Sequence, residues 1–98
     1  MIQTHSFQGI NVIQWRLREV MDANDIRPKD FAKTLGISSN AVSNLRGREM
    51  PKINGERLNQ IVIALNLLRS RKKALITPSD LFSFSLTMEE MDKLGIPR

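Results

Sequence analysis

The chain has 98 residues, 41% hydrophobic and 26% charged, which suits one small domain with a single core. Its formal charge of +5 favours a polyanionic partner, while the absence of cysteine excludes a disulfide scaffold, a thiol nucleophile and thiolate zinc ligation and fits a reducing cytosol. The longest apolar run, Ile61 to Leu65, is five residues, against the roughly 20 that cross a bilayer, and the first fifteen residues lack the charged and apolar regions of a secretory signal, so no membrane partner is expected and the expected location is cytoplasmic.

In chain order, residues 1–10 are expected to form an N-terminal arm. Ile13, Leu17, Val20 and Met21 recur at the spacing of one helix face, which predicts a first helix over about 12–23, with Asn11 as N-cap and Asn24 able to take a left-handed conformation at its end. Pro28 suits the first position of a second helix of about eight residues, with Phe31, Ala32 and Leu35 inside and Gly36 as its stop. Ser38 can cap a third helix running to about Arg46, with Ala41, Val42 and Leu45 inward. Beyond a loop with Pro51 and Gly55, the residues Leu58, Ile61, Val62, Leu65 and Leu68 make the strongest apolar stripe and predict a helix over about 56–69. Pro78 breaks the chain, leaving Ser79 to Phe82 for a turn or one more helical turn. Phe82, Phe84 and Leu86 alternate with Ser83 and Ser85 as in a brief extended segment. Thr87 with Glu90 has the form of a capping box, so Met88, Met91 and Leu94, followed by Gly95 and Pro97, predict a short helix over 88–94.

Charge is divided along the chain. Residues 16–73 carry 13 basic and 6 acidic side chains, and residues 74–98 carry 2 basic and 4 acidic. A basic body meeting the polyanion and an acidic end with another task would produce this division, as would an ordinary solvated face.

The most specific pattern lies between Pro28 and Leu45. Ala32 is small where the second and third helices would cross, Gly36 permits a tight turn between them, and Ile37, Val42 and Leu45 fill a shared core. The stretch from Phe31 to Leu45, FAKTLGISSNAVSNL, resembles the helix-turn-helix domains of the phage repressor and Cro type, also called the xenobiotic-response-element type. The resemblance extends more loosely from Ile13 to Phe82 and implies an all-α fold: a five-helix lambda-repressor-like DNA-binding domain at 11–82 with a short C-terminal extension at 83–98. The turn near Ser79 to Phe82 would be its fifth helix.

That resemblance implies that the third helix enters the major groove of duplex DNA, which is wide enough for an α-helix. Its groove face would present Ser39, Asn40, Ser43 and Asn44. Ser39, Asn40 and Asn44 occupy the positions that the family uses for base edges, with Ser38 and Ser43 nearer the phosphates. The carboxamides of Asn40 and Asn44 match the paired donor and acceptor of adenine, and the absence of Arg on this face removes the commonest guanine contact, so A·T pairs are expected beneath it. Arg27 and Lys29 flank the start of the second helix, where positive charge is unfavourable unless an anion sits there. Arg46, Arg48 and Lys52 follow the third helix, as the family's phosphate-contacting loop does. Several departures stand out: Arg27 replaces the usual Ser or Thr cap, Pro28 replaces a phosphate-binding Gln, Asp25 sits where glycine is common so that a positive φ is expected at Asn24 or Asp25, and the Arg69 to Lys73 run lies outside the usual pattern.

Catalysis finds no support. His5 is the single histidine, Glu89 and Glu90 are adjacent and point to different sides of a helix, and no phosphate loop, dinucleotide fingerprint, zinc motif or calcium loop is present. No enzyme activity, cofactor or metal is expected. Trp15 reads as a core or rim residue, and the Arg69 to Lys73 run as a solvated helix end. Ile63 and Leu67 fall off the main stripe of their helix. With Phe82, Phe84, Met88, Met91 and Leu94 they are candidates for a homodimer or partner contact, unless the tail folds back on its own domain. The expected function is a dimeric transcriptional regulator, most simply a repressor on a pseudo-palindromic operator. The alternatives are an antitoxin-like protein whose tail holds a toxin or other protein partner, and a helical adaptor without a nucleic-acid role.

Overall fold

The helical order follows from local chemistry that the sequence carries at each turn. In the computed structural model, which describes residues 10–97, helix α1 spans Leu17–Ala23, α2 Pro28–Leu35, α3 Ser39–Leu45, α4 Gly55–Leu68 and α5 Met88–Leu94, with one turn of 3-10 helix at Pro78–Leu81. Residues 1–9 of the expected arm, with His5, lie outside the described residues. Pro28 opens α2, where its missing N–H and fixed φ cost nothing. Gly36 closes it in the left-handed conformation at φ 71°, which a Cβ would disfavour. The Asn54 carboxamide oxygen accepts from the Arg57 N–H at 2.8 Å and caps α4.

The expected first helix is corrected at its start. Residues Ile13–Trp15 form strand β1 instead of helix, paired antiparallel with β2, Phe82–Phe84, in the register Ile13 to Phe84, Gln14 to Ser83 and Trp15 to Phe82. Asn11 is therefore no N-cap; the residue before α1 is Arg16, whose side chain makes no capping bond. The physical reason is tertiary. Arg16 N–H donates to the Leu81 carbonyl at 2.7 Å and Ser85 N–H to the Val12 carbonyl at 2.8 Å, so this segment's backbone groups are satisfied across the sheet. β-branched and aromatic side chains at Ile13, Trp15, Phe82 and Phe84 suit a pleated surface. Below the sheet, Trp15 and Phe82 meet edge to face with ring centroids 5.3 Å apart, a favoured aromatic geometry.

One core serves the helices. Leu17, Met21, Phe31, Val42, Ile61, Leu65 and Leu81 are fully buried, and Ala32, Leu35, Ile37, Leu45, Leu58 and Leu68 pack against them. Helix α2 packs on both α3 and α4. Behind α4, the Asn66 carboxamide donates to the Val62 and Ile76 carbonyls and accepts from the Ile76 N–H at 2.8 Å. This clasp fixes the loop that carries the basic run. Arg69 and Lys73 of that run are spent on the fold: Arg69 donates to Asn66 and to the Ser70 carbonyl, and Lys73 to the Ala23 carbonyl.

The tail differs in kind. Helix α5 has its complete capping box, with Thr87 Oγ1 accepting from Glu90 N–H at 3.1 Å and Glu90 Oε1 from Thr87 N–H at 2.9 Å, and it ends on Gly95 at φ 73°. It nevertheless buries no residue completely. The radius of gyration, 16.5 Å, exceeds the roughly 13 Å of a compact chain of this length.

Asp25 is the one non-glycine residue at positive φ among the described residues, at 55°. The left-handed region costs an L-residue about 1–2 kcal/mol, and glycine returns part of that gain as lost chain entropy. Asp25→Gly is expected to stabilise the fold by about 0.5 kcal/mol, visible as a rise of roughly 3 °C in Tm on thermal denaturation.

Candidate nucleic-acid interface

Helix α3 is held from below and bare above. Val42 is buried and Ala41 and Leu45 are half-buried, whereas Ser39, Asn40, Ser43 and Asn44 are all exposed. Ser38 Oγ accepts from the Ala41 N–H at 3.1 Å and fixes the helix start. At the other end the Trp15 indole N–H donates to the Leu45 carbonyl at 2.6 Å. This bond satisfies one of the carbonyls that a helix end leaves without a partner and ties the rod to β1. A rod of seven residues is about 10 Å long, rigidly seated, with two carboxamides and two hydroxyls free of the core. Those groups can make hydrogen bonds to base edges, and none of them carries charge.

Positive charge surrounds this face. Arg27 immediately precedes α2 and makes no side-chain capping bond, and it is exposed, as is Lys29 in the helix's first turn. Arg48 and Lys52 are exposed in the loop between α3 and α4. Arg46 sits differently from its neighbours: its side chain is 20% exposed, and its Nη2 donates to Asp22 Oδ1 at 3.3 Å. An anion can engage it only through donors that Asp22 leaves over. The fold also brings Arg16 and Arg18, at the start of α1, into one cleft with Arg46 and Arg48. Nothing local in the sequence connects these two to α3; the Trp15 to Leu45 bond, 30 residues apart, joins the two segments.

Of the candidate dimer or partner contact residues, Ile63 and Leu67 lie on α4 and the others in β2 and α5. Ile63 and Leu67 are exposed and line a shallow groove of about 280 Å³ with Leu35. Phe82 and Phe84 line another of about 490 Å³ with Ile13. Phe84 and Met88 are well exposed, while Phe82, Met91 and Leu94 are half-buried. No group of three or more His, Asp or Glu placed to hold a metal occurs among the described residues, and none of their helices is long and apolar enough to cross a membrane.

A family model described as the Cro/C1-type HTH DNA-binding domain matches residues 16–68, just over half the chain and the whole run from α1 to α4. No curated protein and no solved structure gives a match.

Proposed function

The chain belongs to the Cro/C1-type helix-turn-helix DNA-binding family, which implies DNA binding, and we propose that it is a cytoplasmic, sequence-specific transcriptional regulator, a repressor that binds a pseudo-palindromic operator as a homodimer. The observation that carries this reading is the amphipathic division of α3, with Val42 buried and Ser39, Asn40, Ser43 and Asn44 exposed. The DNA-binding unit is 11–82, with the 1–10 arm before it and the 83–98 extension after it. Ser39, Asn40 and Asn44 read base edges. Arg27, Lys29, Ser38, Ser43, Arg46, Arg48 and Lys52 hold phosphates, which set the register of the helix on the duplex without reading sequence.

The homodimer uses the apolar patches at Ile63 and Leu67 and at Phe82, Phe84, Met88, Met91 and Leu94. A second reading keeps DNA binding and gives the tail to another protein, as in an antitoxin. It is favoured by α5 itself, a fully capped seven-residue helix with no completely buried residue, since isolated helices that short are marginal in water.

Selection of bound sites from random duplex DNA tests both parts. Two half-sites about 10 base pairs apart, with A·T pairs beneath α3, are the expected product; G·C at those positions would overturn the assignment of the base readers, and a single half-site would overturn the homodimer. Asn44→Ala is expected to relax preference at one base pair by about 1–3 kcal/mol, leaving the other positions unchanged, as read by competition with singly substituted duplexes.

A further inference from the structure

Beside the C-terminal end of α3 lies a cleft of about 530 Å³ lined by four arginines, Arg16, Arg18, Arg46 and Arg48, with Glu19 as its one acidic lining residue. Asp22 offsets a second charge by pairing with Arg46. The four arginines therefore outnumber the two carboxylates, Glu19 and Asp22, that stand against them. The Arg46 guanidinium is held by Asp22 at 3.3 Å with its side chain 20% exposed, and its Nε–H is buried, so only its outer nitrogens face an anion in the cleft. Like charges gathered in one concavity are unfavourable on their own and favourable around an anion. Guanidinium groups, with their forked donors, match the oxygens of a phosphate.

Position names the source of that phosphate. Arg46 stands two residues beyond Asn44, and the Trp15 to Leu45 bond draws the Arg16 and Arg18 segment against the same end of the helix. A duplex whose bases lie against Asn44 carries its sugar-phosphate backbone past this cleft. We infer that the cleft seats a backbone phosphate of the bound duplex, with Arg16 and Arg18 joining Arg48 as its ligands. The inference rests on the proposed DNA-binding function and adds two residues, from a different element, to the phosphate contacts.

The test compares the full chain with R18Q and R16Q/R18Q, titrating each with a labelled duplex of the selected site between 50 and 200 mM salt. Loss of one phosphate contact is expected to make the slope of log affinity against log salt shallower by about 0.9 and to weaken binding at 50 mM about tenfold. The ranking of singly substituted duplexes stays unchanged. Arg18 is exposed, so R18Q keeps the wild-type Tm and its result stands if the double variant folds poorly. An unaltered slope in R18Q and R16Q/R18Q, with the parent still binding duplex, overturns the cleft assignment alone. A changed base ranking overturns it in favour of base contact. In a second arm, stabilisation of the parent by inorganic phosphate that R18Q abolishes, together with an unaltered duplex slope, makes the cleft a site for a free oxyanion and overturns the backbone assignment. Absence of any duplex binding by the parent overturns the DNA-binding reading and this inference with it.

Discussion

Phe31→Ala is expected to cost about 3–5 kcal/mol, a large fraction of the roughly 5–15 kcal/mol that holds a domain together. Phe31 is fully buried, and α2, which carries it, packs on both α3 and α4. Its ring therefore fills the space at which the helix-turn-helix pair meets the rest of the core, and neither neighbour can close the void without moving α3. Thermal denaturation should place the midpoint more than about 12 °C below that of the parent, and DNA binding at 37 °C should be lost with the fold. A fall of less than about 4 °C would mean that the core does not depend on this contact as described.

The second large effect is ionic. With the roughly five phosphate contacts proposed for each subunit of the proposed dimer, log affinity for duplex DNA is expected to fall against log salt with a slope of about −4.5. Raising salt from 50 to 200 mM then weakens each subunit's binding by about 500-fold. On the proposed assignment, the exposed Arg27, Lys29, Arg48 and Lys52 supply most of this loss, because each phosphate they neutralise releases a counterion condensed on the duplex. Fluorescence anisotropy with a labelled duplex reads the slope directly. A slope shallower than about −1 would leave room for no more than one phosphate contact and would sink the assignment of these residues.

The two effects separate what the chain states locally from what it states only when folded. Helix α2 with its Pro28 start and Gly36 stop, the Ser38 cap of α3, the Asn and Ser face of α3 and the Thr87 to Glu90 capping box of α5 were all legible. Each depends on residues within about one helical turn. The 3-10 turn at Pro78–Leu81 and the extended segment at Phe82–Phe84 were legible for the same reason. The left-handed residue after α1 was narrowed to Asn24 or Asp25, both small and polar, and the fold chose Asp25.

The start of α1 was not legible. Ile13 keeps helical spacing with Leu17, yet it lies in β1, because its strand finds a partner in β2: Gln14 and Ser83, hydrogen-bonded across that pair, are 69 residues apart. Periodicity in a short window cannot report such a partner. The same holds for Arg46, whose charge reads as free until Asp22 is found beside it, and for Arg16 and Arg18, which share a cleft with the end of α3 only once the indole of Trp15 has reached the Leu45 carbonyl.

By itself, then, the amino-acid order determined the helices of the DNA-binding motif and which side chains their outer face carries, since caps, proline, left-handed glycine and apolar spacing act over a few bonds. Tertiary structure alone decided where the first helix begins, which arginines remain available and which basic residues stand together. Those outcomes depend on contacts that close long loops, and the entropy of closing them is repaid only by burial and pairing that no short stretch of sequence contains.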